Sequence, residues 1–128
     1  MSTSIETVER IYDAFRIGDL DAVMAVCSPD IVVTQDPALP WGGRYVGRDG
    51  VAEFALSLVG AIDSEVAVEQ IFAAGDQVVQ QGRTKGTVRH NGEAFDIAEC
   101  HIWTLRKGVV VEAQFFIDST AMLASLER

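Results

Sequence analysis

The sequence predicts one α+β domain in which helices gather against one face of a curved, mixed but mostly antiparallel sheet. Two observations carry that expectation. Helical spacing of apolar residues is confined to stretches before Ile62 and one short stretch at the C-terminus, whereas period-two patterns fill Glu65 to Ile117. The chain is also 128 residues long, enough to bury one core without staples, and it holds no repeat, linker or low-complexity segment. A single domain over residues 1–128 is therefore expected.

Each element has its own local reason. Thr3 and Glu6 fit a capping box, and Ile5, Val8, Ile11, Tyr12 and Phe15 form one apolar stripe that Gly18 terminates. Asp19 can cap a short second helix with Leu20, Val23, Met24 and Cys27 inward, ended by Pro29. Ile31 to Thr34 reads as a short strand. From Asp36 to Gly50, proline, glycine and aromatic residues alternate without period, which predicts a loop long enough to be functional. Val51, Phe54, Ala55, Leu58, Val59 and Ile62 follow at helical spacing and give a third helix. Strands are then expected over Glu65 to Ala73 and Gln77 to Arg89, with a turn at Asn91-Gly92. Asp118 or Ser119 caps a last short helix containing Met122, Leu123 and Leu126.

The stretch Ala94 to Asp118 reads as a hairpin closed by Arg106-Lys107-Gly108. A three-residue loop there sets Leu105 opposite Val109, His101 opposite Ala113 and Glu99 opposite Phe115. One face then carries Phe95, Ile97, Glu99, His101, Trp103 and Leu105, continued by Val109, Val111, Ala113, Phe115 and Ile117. That face is apolar except for Glu99 and His101 at its centre. Ionisable groups set into an apolar surface cost free energy unless paired, hydrated or used, as they are where a sheet lines a ligand cavity.

Composition narrows the partners. The formal charge of −9 disfavours nucleic-acid backbones and anionic membranes. The two cysteines, Cys27 and Cys100, fall in unrelated elements and suit a reducing cytoplasm. The polar start MSTSIETVER has no signal-peptide core, and no apolar run approaches a membrane span. His90 and His101 lie on different features and neither cysteine has ligand spacing, so no metal is expected. Phosphate loop, dinucleotide fingerprint and nucleophile elbow are all absent from the sequence, and no cofactor is expected.

Three segments, Tyr12 to Val23 (YDAFRIGDLDAV), Asp36 to Val51 (DPALPWGGRYVGRDGV) and His101 to Glu112 (HIWTLRKGVVVE) leading to FFID, together resemble a known family. In this order of elements the chain resembles the SnoaL-like branch of the nuclear transport factor two-like superfamily, over nearly its whole length. Ketosteroid isomerases, limonene epoxide hydrolases and polyketide cyclases share that superfamily. The resemblance implies a cone-shaped cavity between the curved sheet and three to four helices, and a homodimer through the outer sheet face. In the cyclases a histidine at the position of His101 works with an aspartate where this chain has Phe115. In the epoxide hydrolases that same position holds a required aspartate, and the arginine and second aspartate fall near Gly82 and Thr84. Asp36-Pro37 resembles the base of the isomerases, one residue out of step. Their oxyanion-hole tyrosine falls at Ile11, one step from Tyr12, and their protonated aspartate falls near Cys100 or Glu99. No characterised constellation is complete.

Each candidate has a functional and a purely structural reading. His101 exchanges a proton near neutral pH, or it packs against Trp103 and bonds to Glu99. Glu99 orients His101, carries a raised pKa, or pairs with a buried arginine. Asp36 is a general base at the pocket mouth or an ordinary turn starter. Trp41 and Tyr45 stack on a ligand or cover the third helix. Tyr12 offers its hydroxyl to an oxyanion or belongs to the core, and Trp103 and Phe115 line the cavity or fill it. The expected function is a cofactor-independent isomerase, cyclase or dehydratase acting on a small, largely apolar carbonyl compound, with His101, Glu99 and Asp36 as catalytic groups. Its alternative is a non-catalytic binding or dimerisation module of the same fold.

Overall fold

The computed structural model describes residues 3–128, so the first two residues of the polar N-terminal segment lie outside the described residues. The first helix, α1 (Ser4–Ile17), starts on the expected capping box: Thr3 Oγ1 accepts from the Glu6 amide, and the Glu6 carboxylate accepts from the Thr3 amide, both at 3.1 Å. Such a cap contributes about 1 kcal/mol and fixes where the helix begins. Gly18, at φ 69°, ends it in the left-handed conformation. Asp19 caps α2 (Leu20–Ala25) through the Ala22 amide.

Val26, not Pro29, closes that helix. Pro29, which has no amide hydrogen to give, lies instead inside β1 (Cys27–Gln35), where the pairing with its neighbour breaks between Cys27 and Val32. The segment from Asp36 to Gly50 is a shorter loop than its composition suggests. It contains β2 (Gly43–Val46) and the first turn of α3 (Gly47–Ala61). On α3, Val51 and Phe54 are buried, whereas Val59, expected inward, is exposed.

The remaining elements are β3 (Ile62–Ala74), β4 (Gln77–Val88), β5 (Ala94–Arg106), β6 (Val109–Ile117) and α4 (Ser119–Leu126), the last capped by Asp118. All six strands form one open sheet in the order β2-β1-β6-β5-β4-β3. It is mixed, because β1 runs parallel to β6 while every other neighbouring pair is antiparallel. The helices α1 and α3 pack on its inner face, which gives the α+β architecture.

The β5–β6 hairpin departs from the expected register. Arg106 pairs with Val109 across a two-residue turn, in which Lys107 and Gly108 both have positive φ (52° and 76°). That primed two-residue turn matches the right-handed twist of the flanking strands. A bulge then places Thr104 opposite Glu112 but Leu105 opposite Val110, with Val111 as the extra residue. Turn and bulge each move the register by one residue, so His101 lies opposite Phe115 and Glu99 opposite Ile117. Ala113 and Phe115 are still buried, whereas Val110, not Val109 or Val111, fills the inner face near the turn.

The registers of successive pairs align inward side chains in rows across the sheet. One row runs Ile71, Gln80, His101, Phe115, Gln35 from β3 to β1. The next runs Val68, Gly82, Glu99, Ile117, and the other flank is Val78, Trp103, Ala113, Val33. Tyr12, projecting from α1, meets these rows from above.

Candidate functional site: a closed tyrosine–histidine–glutamate cluster

Strand alternation brings Glu99, His101 and Trp103 to the same face of β5, and the apolar stripe of α1 sets Tyr12 against them. The Tyr12 hydroxyl lies 2.7 Å from His101 Nδ1, and Trp103 Nε1 donates to that hydroxyl at 3.0 Å. The other imidazole nitrogen, Nε2, is 3.1 Å from Glu99 Oε2. The Tyr12 and His101 rings are nearly parallel, at an interplanar angle of 7°. Phe115 closes the far side, edge-on to the imidazole with ring centroids 4.7 Å apart.

Gln80 completes the cluster. Its Nε2 reaches Glu99 Oε2 at 2.9 Å and the Tyr12 hydroxyl at 3.2 Å. Gln80 is fully buried, Tyr12 is 4% exposed, Glu99 5% and His101 7%, so these polar groups have little but each other to bond to. Gln80 carries no charge, so it does not stand out in the sequence beside the ionisable candidates. The signal was the alternation Val78, Gln80, Gly82, Thr84, which sets a long polar side chain inward opposite His101.

Burial sets the charge state. It pushes the Glu99 carboxyl up to about 7, against the hydrogen bond from Gln80 and helped slightly by the charge of Glu69. It lowers His101 to about 3, and it raises the Tyr12 phenol well above its ordinary range. Tyr12 and His101 are thus held neutral near pH 7, while Glu99 is poised to gain or lose its proton there.

Two depressions flank the cluster. The first, of about 300 Å³, has Tyr12 in its floor, with Glu9, Asp13 and Arg16 from α1 and Val68 and Ile71 from β3 around it. The second, of about 410 Å³, lies beyond Phe115 and Ile117 and includes Thr34, Gln35, Asp36, Pro37, Phe116 and Ser119.

Five of the sequence-derived candidates therefore converge: Tyr12, Glu99, His101, Trp103 and Phe115. Three lie elsewhere. Asp36 is exposed at the rim of the second depression, where its carboxylate accepts from the Ala38 amide at 2.9 Å. That bond and the Ser119 side chain hold its pKa below the usual carboxylate range. Trp41 is fully buried, and its indole N–H is bound to Gln35 at 2.8 Å. The Tyr45 hydroxyl donates to the Trp41 carbonyl, and its ring packs on Phe54, which in turn stacks on Phe115. Among the described residues, no group of three or more His, Cys, Asp or Glu side chains converges to hold a metal ion. Nor is any helix among them long and apolar enough to cross a membrane.

Comparison with known proteins agrees with this fold. The family model described as the SnoaL-like domain matches residues 8–113. Among solved structures, an NTF2-like protein of unknown function from Burkholderia pseudomallei is 26% identical, with a TM-score of 0.92 over 100% of both chains. TerC, co-crystallised with polyporic acid, is 23% identical at a TM-score of 0.91, over 99% of this chain and 100% of that one. A candidate SnoaL-like polyketide cyclase from Jannaschia is 24% identical at 0.86, over 96% and 90%. No curated protein matches the chain.

Proposed function

Since the chain belongs to the SnoaL-like domain family, we propose that it is a cofactor-independent acid–base enzyme of the isomerase, cyclase or dehydratase type. Its substrate would be a small, largely apolar carbonyl compound of polyketide- or steroid-like character. The observation that carries this reading is the 2.7 Å contact between the Tyr12 hydroxyl and His101 Nδ1. A proton donor and a neutral base lie side by side, and the oxygen and α-carbon of an enolisable ketone are only two bonds apart. A ketone entering over Tyr12 exchanges the Tyr12–His101 bond for two of its own. Tyr12 donates to the oxygen as it becomes an enolate, and His101 Nδ1 takes the proton from carbon. The imidazolium formed is balanced by ionised Glu99 across 3.1 Å. Returning the proton to a different carbon isomerises the substrate; delivering it to a departing hydroxide dehydrates it. A fold shared with a candidate polyketide cyclase is consistent with this class of chemistry.

The mouth supports an uncharged substrate. Two carboxylates, Glu9 and Asp13, line the first depression, and Arg16 there is already paired with Asp13 at 2.6 Å.

Deuterium incorporation next to the carbonyl of cyclic ketones in heavy water tests the proposal. Wild type is expected to exchange, with His101→Ala and Tyr12→Phe slower by about 10²-fold or more. Loss in Asp36→Asn, with His101→Ala unaffected, would instead move the base to the rim of the second depression. A second reading, a binding module without turnover, is favoured by Phe115 standing where the cyclases carry an acid. It predicts binding of apolar ketones but no exchange from any form of the protein.

We further propose that the chain forms one domain and pairs with a second copy through the outer sheet face. Phe72 and Phe116 are exposed there, with Cys100 and Ile102 half-buried beside them.

A further inference from the structure

The donors and acceptors of the cluster determine where its hydrogens sit. Trp103 Nε1 and Gln80 Nε2 can only donate, so the Tyr12 oxygen accepts from both, at 3.0 and 3.2 Å. The one phenolic hydrogen is left for His101 Nδ1. A neutral imidazole with an accepting Nδ1 carries its hydrogen on Nε2, and that nitrogen faces Glu99 Oε2. The same carboxylate oxygen accepts from Gln80 at 2.9 Å. Gln80 Nε2 thus serves both ends of the Tyr12–His101–Glu99 chain, and it also faces His101 Nδ1 at 3.4 Å, a second donor beside that accepting nitrogen.

We propose that Gln80 is a positioning residue that holds His101 in its Nε2–H form and reserves Glu99 Oε2 as an acceptor, so that a proton on Glu99 resides on Oε1. The unpartnered atoms agree with this assignment. Gln80 Oε1 and Glu99 Oε1 are the buried side-chain polar atoms without a hydrogen-bond partner among the described residues. Both lie 2.9 Å from the point a Cβ at residue 82 would occupy, so the bare backbone of Gly82 lets them turn to the same side. Glu99 Oε1 is thus the carboxylate oxygen left without a donor, and the one free to take the proton of a carboxyl pushed up to about 7. The other titratable groups facing Glu99 are Tyr12 from α1, Glu69 from β3, and His101 and Cys100 on its own strand.

The clamp rests on the acid–base reading for its purpose, but its test requires no turnover. Nitrogen-15 spectra of the imidazole are expected to show wild-type His101 with Nδ1 unprotonated and Nε2 protonated near neutral pH. Gln80→Leu removes both donors; Gln80→Met removes them while keeping the length of the side chain, and so guards against a simple packing defect. Both are expected to give mixed tautomers and to raise the carbon-13 titration midpoint of the Glu99 carboxyl by about one pH unit, as a hydrogen bond to the carboxylate is lost. Wild type with its hydrogen on Nδ1 would overturn the proposal, as would an unchanged tautomer and midpoint in both variants. A protein with these signatures that exchanges no deuterium into ketones would uphold the clamp and overturn the enzymatic reading.

Discussion

Glu99 and His101 are shifted in opposite directions by the same burial, and their effects on stability run in opposite senses with pH. Glu99, raised from 4.5 to about 7, binds its proton more tightly folded than unfolded. Its contribution is complete below about pH 4.5 and is lost as pH rises through about 7. His101, lowered from 6.5 to about 3, contributes fully above about pH 6.5 and loses that contribution as pH falls through about 3. Between about 4.5 and 6.5 the two slopes cancel. Urea midpoints measured at close pH intervals should therefore show a plateau there in wild type. In Glu99→Gln the plateau gives way to a steady rise toward pH 6.5, and a plateau that persisted would contradict the assignment. Turnover has its own sign: the imidazolium needs ionised Glu99 beside it, so exchange should increase as pH passes through about 7. The identity of the ionisable pair was legible in the sequence, because Glu99 and His101 break an otherwise apolar alternation. Its closure was not, since the alternation that turns Gln80 inward does not name its partners and the direction of the Tyr12 hydroxyl leaves no mark in a one-dimensional pattern.

Among the elements, the β5–β6 hairpin shows how a wrong register can leave the right faces beyond a bulge, from Ala113 onward, while Val109 and Val111 beside the turn lie off the expected face. The expected three-residue loop and the observed two-residue turn plus bulge differ by two residues, and side chains repeat their face every two. Buried faces were therefore readable while the opposing partners were not. The turn itself carries a cost. Lys107 at φ 52° adopts a conformation that asparagine tolerates better. Lys107→Asn should stabilise the protein by about 0.5–1 kcal/mol, seen as a rise of a few degrees in thermal midpoint. A lower midpoint would show that the lysine side chain contributes something the turn geometry omits. The capping box at Thr3 and the caps at Asp19 and Asp118 were legible because each is a local bargain between a side chain and the next turn. The strand β2 was hidden because four residues beside glycines look like loop.

For the whole molecule, the layers were implied by the order of elements, but the joining of β1 to β6 was not. That parallel pair unites segments about 80 residues apart, with Gln35 opposite Phe115 and Val33 opposite Ala113. No local signal encodes such a match. The outer face of the completed sheet leads to a prediction about assembly. Phe116→Glu, on a side chain already 51% exposed, should leave the fold intact and convert a sedimenting dimer to a monomer. An unchanged sedimentation coefficient would remove that face from the proposed pairing.

The two indoles give the protein an internal light source and its own reference. Trp103 donates its N–H to the Tyr12 hydroxyl, the group a ketone would engage, while Trp41 donates to Gln35. Fluorescence from Trp103 should therefore change in colour and yield when the hydroxyl is recruited, and that from Trp41 should hold steady. In Trp41→Phe the whole emission comes from the cluster, so occupancy could be followed in real time without a label and before any product is known.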